Sequence, residues 1–501
     1  MSLEVAPHRS PKPMGSKCKE ECRNKRIERI WLGPTPSLYK LVFDLMHFRN
    51  LLLLFIHRFH STYGSWVTSA SLLYTLLSNP NARSTGNPEK MQKLQEILKR
   101  IEGTEMRRFL DKAKKLKENI GCKFVRQIIR QISNDFSNYF KSKKEYKEHP
   151  EKFTGLPRPP RAKKIRNYRK FTIEMTKDMF DVRGREIVLK LPGDELVVVM
   201  SKEFKVTSVR LCYYLDCFYV DIVYEDTVNP LKPWGSHIAA IDLNLDNFIA
   251  LVSTNPAIPS IVIDGRKIKA FNQWFNKRRS LYQSQHDRVV NEIKRLKERG
   301  DDVPEELITR ERELRRRLRM LWVYRNKRIH DWFHKLSRWL SEYLYRTGHA
   351  LLIVGRGVLD AKRNCAIGRA TEGFVQIPYR TFIDMLRYKC KQFGIEVRLA
   401  DEKYTSKACC LNDNIVELQN AEKPKFTGVR IERGLYKTRN PNGGELLVNA
   451  DCNAAFNILK VGIGTNVELT EIFKPSVLRW KLSSPIRLRL QEIPRFVRGK
   501  L

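Results

Sequence analysis

The sequence predicts a multidomain α/β protein, and its length, its apolar content and the order of its patterned segments support this. At 501 residues the chain is long enough for roughly two to four domains. Hydrophobic residues make up 42% of it, which is sufficient for folded cores and too much for a disordered chain. Helical spacing comes first, β-type sequence follows, and strands then alternate with helices. We therefore expect a helical lobe, a small antiparallel barrel or sheet, and a mixed α/β domain.

Charge is the unusual property of this composition. The 94 lysines and arginines outnumber the 55 aspartates and glutamates, which gives a formal net charge of +39. Self-repulsion of this size destabilises a compact chain unless a polyanion neutralises it. A ribosomal or simply solvated basic surface is the alternative, but a chain with enough apolar residues for a core favours a long nucleic acid as its ligand.

A membrane-spanning segment is not predicted. The most apolar run, residues 51–56, is short and lies between Arg49 and His57, whereas a spanning helix needs about 20 apolar residues. No signal peptide is recognisable at the amino terminus, so we expect a reducing compartment in which the ten cysteines need not pair. The basic stretch from Lys12 to Arg29 is compatible with a nuclear address and with an RNA-contacting arm.

The amino-terminal lobe is predicted from apolar residues that recur at three- and four-residue steps. Leu38, Leu41, Val42 and Leu45 show this spacing, and similar spacing continues to about residue 146. Such a period places the apolar side chains on one face of a helix. We expect an all-helical lobe of a little over a hundred residues.

The segment 155–170, called the basic strap below, differs from the lobe. It carries seven basic side chains, three prolines and no acid, so it should be extended rather than helical. A solvated linker is one interpretation of it. Tyr168 among the charges favours the other, a strap that lines a nucleic acid.

Two regions follow the strap. Residues 186–191, 195–200 and 217–224 are rich in β-branched and aromatic side chains, and they predict a small antiparallel barrel or sheet that ends near Pro230. Beyond it come two apolar strands, a long Arg-rich helical pair over about 267–346, and further alternation of strands with helices. This order predicts the mixed α/β domain.

Three carboxylates of the α/β segment lie within or beside its predicted elements. Asp242 interrupts an apolar strand, Glu402 directly follows another strand, and Asp451 lies near the start of the last helix. A buried lone carboxylate is costly unless it is paired or bound to a cation, and Mg²⁺ takes oxygen ligands. Glu402 as a surface charge and Asp451 as a helix N-cap are the alternatives, whereas Asp242 has no comparably simple explanation.

Short motifs surround these acids. They are Ile241-Asp-Leu-Asn-Leu-Asp-Asn-Phe, Tyr404-Thr-Ser-Lys-Ala-Cys and Asn449-Ala-Asp-Cys-Asn-Ala-Ala-Phe-Asn-Ile-Leu, accompanied by residues 375–379 and 426–436. They resemble the motifs of the transposon-encoded TnpB and Fanzor proteins, which are relatives of the type V CRISPR effectors. The resemblance is specific from about Ile238 to Leu459 and only architectural upstream. By this resemblance, Asp242 and Asp451 take the places of the first and last catalytic acids.

The resemblance implies a RuvC-type, RNase H-like nuclease domain with a helical insertion, a helical recognition lobe and a small β-barrel wedge domain. The expected parts are a basic amino-terminal segment with the first wedge element (1–35), the recognition lobe (36–154), the strap and wedge barrel (155–234), the RuvC-like domain (235–470, insertion about 267–346) and a basic carboxy-terminal tail (471–501).

The second catalytic acid departs from the family pattern. It usually follows a strand as Ile-Val-Glu-Asp-Leu, but this chain reads Leu352-Ile-Val-Gly-Arg-Gly, with Gly355 in place of the glutamate. Either cleavage has been lost or the carboxylate comes from elsewhere. A glutamate relocated beside the Thr-Ser-Lys motif, as in Fanzor proteins, makes Glu402 the substitute. We then expect Asp242, Glu402 and Asp451 to be the catalytic acids and to hold two Mg²⁺ ions.

Zinc is not predicted. The family often carries two Cys-x-x-Cys pairs, which suit the tetrahedral coordination of zinc. Here Cys409 and Cys410 are adjacent, position 412 is asparagine, and no further pair precedes Cys452.

By the resemblance, the protein is a monomeric ribonucleoprotein that uses an ωRNA-like guide RNA to cleave matched double-stranded DNA beside a short flanking motif, with no membrane partner. A nuclease-dead guide-dependent binder and a guide-independent transposon nuclease are the alternatives. The relocated glutamate and the basic amino terminus favour a nuclear location in a eukaryotic or viral host over a cytoplasmic or nucleoid one. The predicted nucleic-acid contacts are Arg158, Arg161, Lys163, Lys164, Arg166, Tyr168, Arg169, Lys170, Arg316, Arg319, Arg325, Arg328, Thr405, Ser406 and Lys407.

Overall fold

The computed structural model contains two compact units, Met1–Asn229 and Pro230–Leu501. It describes residues 24–33, 35–78, 88–165, 168–226, 231–360, 377–432, 434–439, 444–464, 468–490 and 492–493. Arg166 and most of the basic stretch that starts at Lys12 lie outside these ranges. Within them, no helix combines the length and the apolar character needed to cross a membrane.

The first unit contains a strand followed by five α-helices. Their bounds are β1 (Asn24–Leu32), α1 (Pro36–Tyr63), α2 (Ala70–Leu76), α3 (Pro88–Ile101), α4 (Glu105–Ile120) and α5 (Cys122–Glu148). Helix α1 begins where Thr35 Oγ1 accepts a hydrogen bond from the N–H of Leu38 at 3.3 Å, and Pro36 occupies its first turn. It ends at Gly64, whose φ of 68° suits a residue without a Cβ. The apolar faces of the helices share one core with the strands of this unit.

The remaining strands of the first unit, together with β1, form two antiparallel sheets in the region where a small antiparallel barrel or sheet was predicted. Their bounds are β2 (Lys170–Met175), β3 (Phe180–Arg183), β4 (Glu186–Leu191), β5 (Asp194–Val199), β6 (Lys205–Tyr214) and β7 (Cys217–Asp226), in the orders β1-β7-β6-β2 and β3-β4-β5. The chain leaves the first sheet at the 3-10 turn Lys177–Met179, and β3 then pairs with β4. Arg29 fixes the register of β1 on β7 through hydrogen bonds of 2.7 and 2.8 Å to Asp221.

The second unit is built on a six-stranded mixed sheet, so the predicted combination of helices and strands is confirmed. The order is β12-β11-β8-β9-β10-β16; β8, β9 and β10 are antiparallel neighbours, while β11 runs parallel to both β8 and β12. The sheet strands are β8 (His237–Leu243), β9 (Asn247–Ser253), β10 (Ile261–Asp264), β11 (His349–Gly355), β12 (Glu396–Ala400) and β16 (Ile486–Arg489). Strands β10 and β16 were not predicted from the sequence.

Helices and a small antiparallel sheet complete the second unit. The helices are α6 (Arg266–Arg299), α7 (Glu305–Arg346), α8 (Gly357–Asp360), α9 (Tyr379–Gln392), α10 (Ile415–Asn420), α11 (Ala450–Ile463), α12 (Leu469–Ile472) and α13 (Pro475–Ser483). The small sheet contains β13 (Val429–Glu432), β14 (Leu435–Arg439) and β15 (Glu445–Asn449).

The two faces of the large sheet carry different helices. Ala239 and Ile241 of β8 belong to the core that includes α7 and α9, whereas Ala240 belongs to the core that includes α11. Side chains alternate between the faces of a strand. Asp242 therefore lies on the α11 face, and α11 carries Asp451 in its first turn.

The segment predicted as a basic tail is part of the second unit. Strand β16 pairs in parallel with β10, from Ile486 opposite Ile261 to Arg489 opposite Asp264. The side chain of Leu482 in α13 is fully buried. The apolar residues interspersed among the basic ones fill the core of the unit, which net charge alone does not indicate.

We expect Leu482→Ala to lower the free energy of unfolding by roughly 2–5 kcal/mol, because it leaves a cavity in the core. Ile486→Ala serves as the control, since Ile486 is 40% exposed, and should cost about 1 kcal/mol. Chemical unfolding followed by circular dichroism measures both values. Equal and small losses would mean that this segment is dispensable to the core.

Candidate active site and nucleic-acid surface

The register of three parallel strands brings the predicted acids to one edge of the sheet. Ile241 of β8 lies opposite Val354 of β11, and Gly355 of β11 lies opposite Ala400 of β12. The carboxyl ends of these strands thus coincide. Asp242 follows Ile241 directly, and position 402 comes two residues after the end of β12.

Asp242 and Asp451 are buried acids, each 7% exposed. Asn244 Nδ2 donates a 2.7 Å hydrogen bond to Oδ2 of Asp242, and Asn247 Nδ2 donates a 2.5 Å bond to Oδ2 of Asp451. Burial, followed by the negative charges of Glu402 and Asp451, holds the pKa of Asp242 well above its usual range. The three carboxylates therefore interact electrostatically.

The carboxylate of Glu402 occupies space that two glycines leave open. A Cβ added to Gly355 would overlap Oε1 of Glu402, and one added to Gly357 would overlap its Oε2. The position that lacks the expected glutamate is thus the position over which Glu402 lies. Any side chain at residue 355 would require this carboxylate to move.

The loop that carries Glu402 is fastened to α11. The backbone oxygen of Glu402 accepts hydrogen bonds from the N–H of Thr405 (3.2 Å) and from its Oγ1 (3.0 Å). Asn457 of α11 in turn donates to the carbonyl oxygens of Thr405 (2.9 Å) and Ala408 (2.8 Å). Tyr404 has a φ of 65° in this turn, a conformation that costs a non-glycine residue free energy.

One alternative interpretation made Asp451 the N-cap of α11, and the structure shows that it is not. The side chain of Asn449 caps the helix by accepting from the N–H groups of Asp451 (3.1 Å) and Cys452 (3.0 Å). The carboxylate of Asp451 is consequently left on the sheet side of the site.

The donor set is compatible with a divalent metal ion, although no group of three His, Cys, Asp or Glu residues in the described ranges is assembled in a metal-binding arrangement. Carboxylate oxygens are the ligands that Mg²⁺ prefers. Burial, followed by the negative charges of Glu402 and Asp451, raises the pKa of Asp242, and a cation bound at the acids would offset both effects. Asp242, Glu402 and Asp451 are the residues that would hold such an ion.

Polar contacts hold the loop that carries the adjacent cysteines Cys409 and Cys410. Cys409 Sγ lies 2.8 Å from Thr438 Oγ1, and Asn412 Nδ2 donates to this same oxygen at 3.1 Å. Asp413 accepts from the N–H of Cys409 at 2.7 Å and from Thr427 Oγ1 at 2.7 Å. The loop is therefore held by hydrogen bonds between protein groups. The absence of zinc stays a prediction.

Arg430 is a site residue that the sequence reasoning missed. Its Nη2 lies 3.8 Å from Oδ1 of Asp451, and its positive charge acts to lower the pKa of Asp242. Arg430 belongs to β13 and is 43% exposed at the side chain. Arg430 lies within segment 426–436, which resembles the family, but the motif did not indicate a position near the acids. Arg430 lies there because β13 pairs with β14, which pairs with β15 directly before α11.

The basic strap lies against α1 of the first unit, because side chains of α1 form polar contacts with the backbone of the strap. Asn50 Nδ2 donates to the carbonyl oxygen of Lys163 at 2.7 Å, and Asn50 Oδ1 accepts from its N–H at 3.1 Å. The ring of His57 contacts the carbonyl oxygen of Pro160 at 2.5 Å. The side chains left exposed by this arrangement are those of Arg158, Arg161, Lys163, Lys164, Arg169 and Lys170.

Three predicted contact residues are buried, which corrects their assignment to a nucleic-acid surface. Tyr168 is 6% exposed and donates to Asn50 Oδ1 at 2.9 Å, so it fastens the strap. Arg325 is 4% exposed and donates to Asn272 Oδ1 at 2.9 Å, so it joins α7 to α6. Thr405 is 3% exposed and supports the Glu402 turn. The predicted contacts Arg316, Arg319, Arg328, Ser406 and Lys407 are at least partly exposed.

Two segments of the chain match family models. Residues 221–358 match a family described as probable transposase, and residues 379–458 match the Cas12f1-like TNB domain. The TnpB-like protein ORF457 of Acidianus two-tailed virus is 27% identical over 249 residues, which cover 49% of this chain and 45% of that protein. The match thus spans about half the length of this curated relative. The predicted resemblance to TnpB-type proteins is confirmed.

Two solved structures are also similar at low identity. One is described as a cryo-EM structure of the Cas12f1–sgRNA–target DNA complex; it matches with 13% identity and a TM-score of 0.40 over 87% of this chain and 98% of that chain. The other, a CRISPR-Cas12f ternary complex, matches with 12% identity and a TM-score of 0.30 over 84% of this chain and 81% of that chain.

The overlap of a Cβ at residue 355 with Glu402 predicts energetic coupling between the two positions. Gly355→Ala should lower the free energy of unfolding by about 1 kcal/mol, because the flexible end of the Glu402 side chain must move. In a Glu402→Ala background the same change should cost less, with a coupling energy of about 0.5–1 kcal/mol. Chemical unfolding of the four proteins measures this cycle.

Gly462→Ala is the matched control, since its Cβ would overlap Ile353 and not Glu402. Its cost should be the same in both backgrounds. Equal costs of Gly355→Ala in both backgrounds would contradict the position of the Glu402 carboxylate.

Proposed function

Since this chain is related to the TnpB-type transposon proteins, we propose that it is an RNA-guided DNA endonuclease whose active site contains Asp242, Glu402 and Asp451. The observation that carries the proposal is the carboxylate of Glu402 over Gly355. It supports a complete set of three acids despite the glycine at the family's second acidic position. A Fanzor-like branch, with a nuclear location and a monomeric ribonucleoprotein, stays a prediction.

Mg²⁺ is the cofactor that suits this donor set, and Asp242, Glu402 and Asp451 would hold it. Bound there, Mg²⁺ ions would supply an activated water and stabilise the leaving oxygen of a phosphodiester. The protein's own part is to keep three mutually repelling carboxylates in place. Asn244 and Asn247 do so by donating hydrogen bonds to two of them.

Arg430 has a role in binding the strand that is cut. Its guanidinium lies beside Asp451 and is partly exposed, so it can donate to the oxygens of a phosphate at the acids. A phosphodiester that approaches three carboxylates meets repulsion, which a nearby guanidinium offsets. Arg430 would therefore orient the phosphate and stabilise charge that develops on it.

The exposed cations of the strap and of α7 would contact nucleic-acid backbones. Guide RNA pairs with the target strand, so base pairing reads the sequence while the protein contacts phosphates. The fixed backbone of the strap supports this role, because the backbone that presents these side chains is already ordered before binding. The net charge of +39 suits a long RNA that remains bound.

Cleavage of a guide-matched plasmid by the copurified ribonucleoprotein tests the proposed function. We expect Mg²⁺-dependent cutting that falls by roughly 10²-fold or more in Asp242→Ala and in Glu402→Gln, since each removes a carboxylate from the site. Glu396→Gln on β12 is the control, because this glutamate is exposed and should leave the rate unchanged. Cutting without guide RNA would favour a guide-independent nuclease.

A swap of the acid between two positions sharpens this test. Gly355→Glu combined with Glu402→Gly should recover part of the lost rate, because it returns a carboxylate to the end of β11. Guide-dependent binding by a parent protein that never cuts would instead identify a nuclease-dead binder. Loss with Asp242→Ala alone would place the second acid at another residue.

Asn50→Ala should weaken binding of the guide RNA by roughly 3- to 10-fold although it changes no charge, because the strap loses two backbone anchors. Fluorescence anisotropy with labelled guide measures this affinity. The control is Asn138→Ala on α5, an exposed asparagine. An unchanged affinity in Asn50→Ala would show that the order of the strap does not contribute to RNA binding.

A further inference from the structure

A pocket of about 330 Å³ lies at the start of α6 in the second unit. It is formed by the turn between β8 and β9, the first turn of α6, the turn before β14, and strand β16. The lining residues are Asp246, Asn247, Arg266, Lys269, Gly434 and Arg487. This volume lies at the lower end of the range of ligand pockets, roughly 300–1,000 Å³.

The backbone that carries the lining residues is tightly held. The N–H of Gly265 donates to the carbonyl oxygen of Asp246 at 2.7 Å, and a Cβ on Gly265 would overlap the carbonyl oxygen of Leu245. Oδ1 of Asp264 accepts from the N–H of Arg266 at 2.8 Å. Arg487 lies on β16, in register with β10. The positions of the cations are thus set by secondary structure rather than by a loop.

The pocket has an excess of positive charge. Lys269 Nζ donates to Oδ1 of Asp246 at 2.7 Å, so these two charges offset each other. Arg266 and Arg487, both exposed, provide the remaining two positive charges. Guanidinium groups bind phosphate oxygens with paired N–H donors, which makes a phosphate the ligand that this lining suits.

Asn247 joins the pocket to the three acids. Its Nδ2 donates to Oδ2 of Asp451, while its Oδ1 accepts from Nη1 of Arg487 at 3.5 Å. One asparagine side chain therefore separates the cations of the pocket from a carboxylate of the candidate active site. A group held in the pocket would lie beside that site.

We propose that this pocket binds a phosphate of the DNA strand that is being cut, one that neighbours the phosphate undergoing hydrolysis. The proposal rests on the nuclease function proposed above and adds a subsite to it. Arg266 and Arg487 donate to the bound phosphate, and Asn247 fixes its position relative to Asp451. The ligand is a strand phosphodiester; a free nucleotide has the same phosphate chemistry, and the experiment separates the two.

Binding of single-stranded DNA provides a test that needs no cleavage. The probe is a fluorescent oligonucleotide that is not complementary to the guide, added to ribonucleoprotein carrying Asp242→Ala. Arg266→Gln and Arg487→Gln should each weaken binding roughly 3- to 10-fold and reduce the slope of log affinity against log salt by about 0.7. Lys269→Gln should weaken it less, because its charge is offset by Asp246.

Arg479→Gln on α13 is the matched control, an exposed arginine of the second unit that does not line the pocket. It should reproduce the parent affinity and salt slope. Pocket variants that behave like this control would overturn the proposal. So would a deoxynucleoside monophosphate that competes as well as the oligonucleotide, since the ligand would then be a free nucleotide.

Methylphosphonate substitution locates the phosphate in the cleavage reaction. Target strands carrying one neutral methylphosphonate, placed at successive positions near the cut, are cleaved by the parent ribonucleoprotein and by the Arg487→Gln variant. One position should slow the parent by about tenfold and have little further effect on the variant. Additive losses at every position would overturn the proposal.

The two proposals fail in different ways. A parent that cuts guide-matched DNA, with pocket variants that bind and cut equally well, would refute the pocket while the nuclease function stands. A parent that never cuts would refute the nuclease function. The binding assay would then still decide whether the pocket holds a strand phosphate.

Discussion

Three carboxyl groups at one edge of the sheet repel one another when they are ionised, and the second unit must hold them there against that repulsion. The parallel register of β8, β11 and β12 makes the strand ends coincide, and the backbone pairing of these strands keeps Asp242 and the Glu402 loop side by side. Asparagines supply the donors: Asn244 and Asn247 to the two aspartates, and Asn457 to the loop that carries the glutamate. Amide donors stabilise a carboxylate without adding a charge that would compete with a metal ion.

Glycine at position 355 removes a carboxylate from the end of β11, and it also leaves the space that another carboxylate occupies. A glutamate there would extend from the end of β11, whereas Glu402 reaches the same space from beyond the end of the neighbouring strand β12. The second arrangement requires two positions without a Cβ, Gly355 and Gly357, beneath one carboxylate. It also requires a turn that fixes the backbone of Glu402. The two hydrogen bonds from Thr405 to the backbone oxygen of Glu402 stabilise this turn. The glycine and the distant glutamate are therefore parts of one arrangement rather than a loss and an unrelated gain.

Local patterns predicted the parts of this structure that depend on local interactions. The apolar strand around Asp242, the strand before Glu402 and the long charged helices follow from periodicity, because burial of one face imposes a period of two or 3.6 residues. Pairings between distant segments could not be predicted in this way. Arg430 lies near Asp451 because β13 belongs to the small sheet whose last strand, β15, leads into α11. Strand β16 pairs with β10, although more than two hundred residues of sequence separate them. Burial of Arg325 and Tyr168 was missed for the same reason, since Asn272 and Asn50, their partners, lie far away in sequence.

The distribution of charge around the acids explains how one site can attract both cations and a polyanion. Three carboxylates favour a metal ion but would repel a phosphodiester strand, and this repulsion extends about 8–10 Å in salt. Arg430, which lies beside Asp451, and Arg487 of the pocket, which is linked to Asp451 through Asn247, lie within reach of that field. Arg487 is joined to Asp451 through the uncharged amide of Asn247, so its charge is available to a strand. Arg430, in contrast, lies 3.8 Å from Oδ1 of Asp451 and partly offsets the charge of that acid. A strand can then gain contacts with the cations while its reacting phosphate faces the carboxylates, which separates the binding of the strand from the chemistry performed on it.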